Sequence, residues 1–369
     1  MKWMHVTYRI AASAEDIDAR AEALAREQSV ECPVAAVRDP RVREAVMGKV
    51  VAIGPDGPDH FRACIALALE TVGDDAGQLL NMLFGNASLQ PDVSLLDVAW
   101  PDGLPDLPGP RFGVAGVRER LGVPRGAITC TALKPVGSSV AALAALAALA
   151  GQQARAGFHL IKDDHGLSDP VSAPFAERVP AIQAAVDAAN RDTGGRCVYA
   201  PNLSGGPRAV QRQLAVCRSA GVGAVMLCPL VLGVSQVVEL VRDELDVPVL
   251  AHPALGGALR IDPALLFGTL FRLLGADMVI FPNHGGRFSY EVATCQRIAA
   301  ALAAPLGGYR PALPVPAGGM TPERVGEMCA SYGEDVVLLV GGALLAADDP
   351  AGAMRGFVEA VAAQGVKHG

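Results

Sequence analysis

The sequence predicts an α/β protein in which a smaller N-terminal α+β domain precedes a C-terminal (β/α)8 TIM barrel. Three observations carry this reading. From about residue 127 onward a short apolar run, a loop and a helical pattern repeat eight times, over roughly 250 residues, the count and size of that barrel. Upstream the pattern is different, and the turn-rich stretch Pro101 to Pro110 separates the two regimes. A chain of 369 residues that is 51% hydrophobic can bury the large core that two domains need. The expected domains are residues 1–112 and 113–369. Short apolar strands between helices also suit a doubly wound sheet; the regular count of eight favours closure.

In the first domain His5 to Ile10 alternates like a strand. Ser13 is expected to cap a helix over Ala14 to Gln28, with Glu15 and Asp16 in its first turn. Val46 to Ile53 reads as a strand, and Phe61 to Thr71 as an apolar element, strand or helix. Asp75 to Phe84 reads as a helix and Ser94 to Trp100 as a further strand, giving a mostly antiparallel sheet. In the barrel the pairs begin with Ala127 to Ala132 and the Ala-rich helix Val140 to Arg155, then Phe158 to Ile161 and a helix near Phe175 to Asn190. Arg196 to Ala200 precedes Pro207 to Ala220, Ala224 to Cys228 precedes Gly233 to Glu244, and Val249 to Ala251 precedes Pro263 to Leu274. Met278 to Phe281 precedes Tyr290 to Ala303, Leu313 to Pro316 precedes Pro322 to Ser331, and Val336 to Val340 precedes Gly352 to Gln364.

Composition excludes several classes. The net charge is −7 and there is no basic run, which argues against nucleic acid. The longest apolar stretch, Val140 to Ala150, is too short to span a membrane. Eight cysteines without metal-finger spacing read as buried thiols of a reducing cytosol. With a start that runs straight into a strand, the expectation is a cytoplasmic protein without a signal peptide.

Five lysines, at positions 2, 49, 134, 162 and 367, stand against 26 arginines. A lysine kept in such a chain points to a titratable or nucleophilic amine, which arginine cannot supply. Lys134 and Lys162 fall at strand ends. Phe158 to Ile161 is apolar enough for a buried strand, and Lys162, Asp163, Asp164 and His165 follow at once. Charge at the rim of a sheet is where α/β folds keep their chemistry. Oxygen ligands from Asp164 and, after carbamylation, from Lys162 would suit Mg2+. The bland alternative is a solvated turn.

All eight strand ends of a barrel point to one face. In turn they offer Lys134; Lys162, Asp164 and His165; Asn202; Cys228; His252; Asn283, His284 and Arg287; Gly318 and Gly319; Gly341 and Gly342. The two glycine pairs follow strands seven and eight, the usual phosphate site of the fold, where backbone N–H groups approach an anion. Each polar residue also has a plain structural reading. His252 before Pro253 can cap a strand, Asn202 and Arg287 can satisfy loop carbonyls, and Cys228 can pack.

These residues resemble a known family. Thr131-Ala-Leu-Lys134-Pro is similar to the Thr-x-x-Lys-Pro run on the first barrel strand of ribulose-bisphosphate carboxylase (RuBisCO), which carries a catalytic lysine. Gly157-Phe-His-Leu-Ile-Lys162-Asp163-Asp164-His165 resembles its Gly-x-x-x-x-Lys-Asp-Asp-Glu run, whose lysine is carbamylated by CO2 to bind Mg2+. Upstream, Glu27 lies in a stretch resembling the one with a substrate-site Glu, and Phe84-Gly-Asn86 in one resembling that with a metal-proximal Asn. Gly318, Gly319, Gly341 and Gly342 look like the glycines that hold one phosphate, and His252 like the catalytic histidine after strand five. The resemblance covers nearly the whole chain.

The departures bear on function. The metal-binding Glu is His165 here, the lid-loop lysine falls at Arg287, and the second lysine of Lys-Pro-Lys is Val136. The Arg and second His after strand five are Pro253 and Gly256, and the histidine of strand six is Ile280. The resemblance therefore implies a RuBisCO-like member that does not fix CO2: a Mg2+-dependent enolising isomerase of a ketose monophosphate such as 5-methylthioribulose 1-phosphate. Lys162, Asp164 and His165 would hold the metal, and Lys134, His252, Glu27 and Asn86 would serve catalysis. His284 or Arg287 would meet the end of the substrate away from the phosphate. The family's shared sites imply a homodimer. A lyase that decarboxylates a β-keto sugar-acid phosphate, and an inactive sensor or scaffold barrel, are the alternative readings.

Overall fold

The computed structural model describes residues 2–101, 105–134 and 141–365; Val136 and the expected helix start at Val140 lie outside them. Residues before 100 form a four-stranded antiparallel sheet of β1 (Trp3–Ala11), β2 (Lys49–Pro55), β3 (His60–Ala68) and β4 (Val93–Ala99), in the order β2-β3-β1-β4. β1 buries every second residue, Met4, Val6, Tyr8 and Ile10, as a half-buried strand must. The apolar element from Phe61 is therefore a strand. The first helix starts later than its sequence suggests, at Ile17, because the Ser13 hydroxyl donates to the Asp16 carboxylate at 2.6 Å and closes a turn of its own. Asp75 does cap its helix, Ala76–Phe84, accepting from the Gln78 N–H at 2.6 Å.

The second sheet is parallel: β5 (Ile128–Leu133), β6 (Leu160–Asp163), β7 (Val198–Ala200), β8 (Asn202–Leu203), β9 (Val225–Leu227), β10 (Val249–Ala251), β11 (Met278–Pro282), β12 (Leu313–Ala317) and β13 (Val337–Val340). β7 pairs with β6 and β8 with β9. Only Pro201 lies between them, and its carbonyl accepts from the Met226 N–H at 2.8 Å. β7 and β8 are thus one strand interrupted at a proline, and the barrel closes on eight. Inward-facing Ile128, Leu160, Met226, Leu250, Met278, Ile280, Leu313 and Val315 fill its interior, the layered packing of this fold.

The helix Gly113–Leu121 places Val117 and Leu121 against that interior cluster. Its Arg118 donates to the Asp335 carboxylate at 2.7 Å and to the carbonyls of Val123, Gly126 and Glu334, so the helix seals the barrel end opposite the strand tips. The two sheets meet where Leu95 of β4 pairs in parallel with Ile261, past the loop that follows β10. Among the described residues no helix is long and apolar enough to cross a membrane.

Candidate active site

Strand alternation sorts the charged run. Parallel pairing sets Ala132 beside Lys162 and Leu133 beside Asp163, so Lys134 comes next to Asp164. The Lys134 ammonium forms an ion pair with the Asp164 carboxylate. Asp163 faces the other way and is fully buried. It accepts from the Arg178 guanidinium at 3.2 Å, the Tyr199 hydroxyl at 2.7 Å and the Asn202 N–H at 3.1 Å. Burial pushes its carboxyl up, and Arg178 and the other donors oppose that. Asp163 and Arg178 hold the βα loop in shape, since Arg178 also donates to the carbonyls of Ala173 and Ser168.

Lys162 is only 4% exposed, with Nζ 3.0 Å from the Asp163 carbonyl. Burial pulls its pKa down, Lys134 adds to the effect, and the nearby carboxylates resist it. Burial works against ionisation of Asp164, yet the hydrogen bonds from Lys134 and from the Gly166 N–H win and hold the carboxyl below its usual range. His165 Nδ1 lies 3.3 Å from Asp164. Its ring stacks on that of His252, centroids 4.3 Å apart and planes 11° from parallel. The His252 Nδ1 accepts from the Ala254 N–H at 3.2 Å, so that nitrogen carries no proton. Burial first, then the Lys162 charge, pushes His252 down to about 2. Burial likewise lowers His165. The mouth thus gathers a buried amine, an ion-paired amine, a carboxylate and two uncharged imidazoles.

The other expected residues divide. Asn202 is buried and donates to the His165 carbonyl at 3.0 Å, the loop-supporting role. Cys228 is a buried thiol, pushed up to about 11 by burial. Gly341 follows β13 close to Lys134: a Cβ there would lie 3.8 Å from the Lys134 Cε. Gly342 opens the turn Gly342–Leu345. Gly318 and Gly319 have φ of +101° and +65°, the region glycine favours. A Cβ on Gly286 would sit 2.9 Å from the Gly318 backbone, so the loops after β11 and β12 touch backbone to backbone.

His284 has a partner that the sequence did not show. Its ring is buried and turns to the helix Val325–Tyr332, with Nε2 2.7 Å from the Glu327 carboxylate, so that nitrogen already has a partner. Arg324, unread in the sequence, pairs with Glu327 at 3.0 Å and donates to the carbonyls of Gly319 at 2.8 Å and His284 at 3.1 Å, clamping the two glycine loops. Arg287 is exposed and lies over the ring of Phe288 at 4.8 Å. Ile280, at 2% exposure, packs in the barrel interior. At Gly256 a Cβ would meet the Phe267 ring at 2.5 Å, so no side chain can stand there. Glu27 and Asn86 lie in the N-terminal domain, where the Asn86 amide donates to Glu27 at 2.9 Å.

No protein-family model matches the chain. It is 49% identical over 345 residues to ribulose bisphosphate carboxylase-like protein 1 of Rhodopseudomonas palustris, across 93% of both chains. The chain belongs to the RuBisCO-like proteins. This RuBisCO-like chain is also 48% identical over 348 residues to the 5-methylthioribulose-1-phosphate isomerase of Rhodospirillum rubrum, covering 94% of itself and 92% of that protein. Identity is 34% over 317 residues to a 2,3-diketo-5-methylthiopentyl-1-phosphate enolase of Geobacillus thermodenitrificans, covering 80% and 76%. Its fold superposes on the crystal structure of the Rubisco-like protein from Rhodopseudomonas palustris with a TM-score of 0.90, at 44% identity and 99% coverage of each chain.

Proposed function

We propose that this protein is a metal-dependent isomerase that enolises a ketose 1-phosphate, with 5-methylthioribulose 1-phosphate as substrate. The observation that carries the reading is the group of Lys134, Lys162, Asp164, His165 and His252 at one barrel mouth, in a chain 48% identical to a named isomerase of that compound.

A divalent cation fits the donor set on one condition. Among the described residues no three His, Cys, Asp or Glu side chains converge as a metal site, and an ammonium at Lys162 would repel a cation. Burial favours the neutral amine of Lys162, which can add to the carbon of CO2 and lose a proton to give a carbamate. Carbamate, Asp164 carboxylate and His165 imidazole then supply two anionic groups and one nitrogen, fit for Mg2+ or the softer Mn2+. When bound, the metal would act as a Lewis acid on the substrate's oxygens.

The chain's own residues do the rest. The backbone N–H groups near Gly318, Gly319, Gly341 and Gly342 fix the phosphate. Lys162 as its carbamate, or Lys134 in its neutral form, would take the proton α to the carbonyl, and the Lys134 ammonium beside Asp164 could return one. His252 stays uncharged and accepts or relays a proton at the neighbouring carbon. Residues 1–112 serve as the domain that, in a homodimer, brings the Glu27–Asn86 pair to the partner's barrel mouth.

Turnover in D2O tests the reading. The isomer should form with solvent deuterium incorporated and without release of CO2. Release of CO2 from a β-keto sugar-acid phosphate, with no isomerisation, would replace the isomerase by the lyase. Calorimetry should show ribulose 1,5-bisphosphate binding no better than a monophosphate analogue, because Pro253 and Gly256 offer no cationic grip. Tenfold tighter binding, about 1.4 kcal/mol, would reveal a second phosphate site.

A further inference from the structure

The loop that follows β10 begins at His252 and ends at Arg260, Ile261 and Asp262. Arg260 reaches across to the N-terminal domain. Its Nε donates to the Val93 carbonyl at 2.9 Å, and its Nη2 donates to the carbonyls of Ser88 at 2.7 Å and Gln90 at 2.8 Å. These acceptors belong to the 3-10 turn Asn86–Leu89 and to the residues that lead from it into β4. The backbone reinforces the link: the Leu95 N–H donates to the Arg260 carbonyl and the Asp262 N–H to the Leu95 carbonyl, both at 2.8 Å. One planar guanidinium with five N–H donors serves three carbonyls at once: Ser88 inside the turn, Gln90 just after it and Val93 at the start of β4.

The same turn is held from its other side. Gln28, buried next to Glu27, accepts from the Ala87 N–H at 2.9 Å and donates to the Met82 carbonyl at 2.8 Å. Asn86 therefore stands between two grips. One comes from inside its own domain and fixes it relative to Glu27. The other comes from the barrel and fixes it relative to the loop that carries His252.

We infer that Arg260 is a positioning residue that sets the Glu27–Asn86 pair for catalysis and ties it to the His252 loop of the same chain. This rests on the reading that Glu27 and Asn86 act at a barrel mouth. In a homodimer the consequence is specific. The pair that completes the partner's site is held by the His252 loop of its own subunit, so Arg260 mechanically joins the two active sites. Arg260 is itself exposed, and exposed charged contacts add little to global stability. Its loss should show in the placement of the turn and not in unfolding.

The test is a double-mutant cycle on the full-length enzyme with Arg260→Ala and Asn86→Ala. Arg260→Ala should lower kcat by about 10–100-fold, the scale of a misplacement of about 1 Å, with KM changed by less than about twofold and secondary structure and oligomeric state unchanged. Combined with Asn86→Ala it should add almost nothing, because both changes remove one function. Additive losses, or an Arg260→Ala enzyme with wild-type kcat beside an impaired Asn86→Ala enzyme, would overturn the positioning role. An Asn86→Ala enzyme of full activity would instead overturn the reading beneath it. If Arg260→Ala does not fold, the cycle is run with Arg260→Lys, which keeps the charge and cannot reach three carbonyls; the same outcomes decide.

Discussion

The two sides of the barrel mouth are built on different principles. On the β5–β6 side the chemistry is carried by side chains whose charge is set by burial and by each other: Lys162 under a buried roof, Lys134 paired with Asp164, His165 stacked on His252. On the β11–β12 side the working surface is backbone. Glycines meet glycines, and Arg324, Glu327 and His284 form a brace behind them. The difference teaches that a substrate's reacting carbons and its phosphate make opposite demands. The first needs tunable proton affinity, which desolvation gives. The second needs many fixed N–H donors at close range, which only bare backbone gives.

The comparison can be broken most sharply at two adjacent residues of β6. Lys162→Ala should abolish turnover at a smaller stability cost than loss of its neighbour, that of a cavity only, since its removal strands no buried charge: Asp164 keeps Lys134. Asp163→Ala should do the reverse in kind, lowering stability by about 3–5 kcal/mol because it leaves Arg178 charged and buried without its carboxylate. Kinetics and denaturant melts of both variants check this. Equal activity of the wild type in CO2-free and bicarbonate buffers would remove the carbamate from the account.

On the glycine side the expected effect is smaller and falls on binding. Gly319 has φ of +65°, and a Cβ there would collide with the Gly285 carbonyl oxygen. Gly319→Ala should cost about 1–3 kcal/mol of stability and raise KM for the phosphorylated substrate more than it lowers kcat. A variant with unchanged KM would detach the glycines from the phosphate.

The smallest effect concerns the brace. Arg324 first, and His284 second, hold the Glu327 carboxyl down at about 2, below its ordinary 4.5. A depressed folded-state pKa gives stability that is present above about pH 4.5 and is lost as pH falls through about 2. The melting-temperature gap between wild type and Glu327→Gln should therefore be a modest one near neutrality and close on acidification. A gap independent of pH would mean that Glu327 acts by shape and not by charge.

How much was legible follows from the same chemistry. The lysines were visible because only five occur among 26 arginines. That bias hid the arginines, which look alike in sequence. Arg118, Arg178, Arg260 and Arg324 each brace a different joint. Arg260 meets Ser88 at a separation of 172 residues and Arg118 meets Asp335 at 217, so no local pattern could single them out. The helix Gly113–Leu121 escaped notice beside the prolines and glycines of the linker, and its role as a plug exists only once the barrel has closed.

The sequence by itself determined the eight strand–helix units and the place of Lys162, Asp163 and Asp164 at the end of the second barrel strand. Apolar periodicity and strand alternation are local properties of the backbone. Only the tertiary structure decided that His284 turns to Glu327, that Ile280 fills the barrel interior, and that Asn86 and Glu27 form one hydrogen-bonded pair beside the turn that Arg260 grips. Each of these depends on which carboxylate, ring or carbonyl a distant part of the chain brings within reach. A polar side chain takes the partner that satisfies it when buried, and that partner is fixed by barrel closure and domain docking, not by its neighbours in sequence.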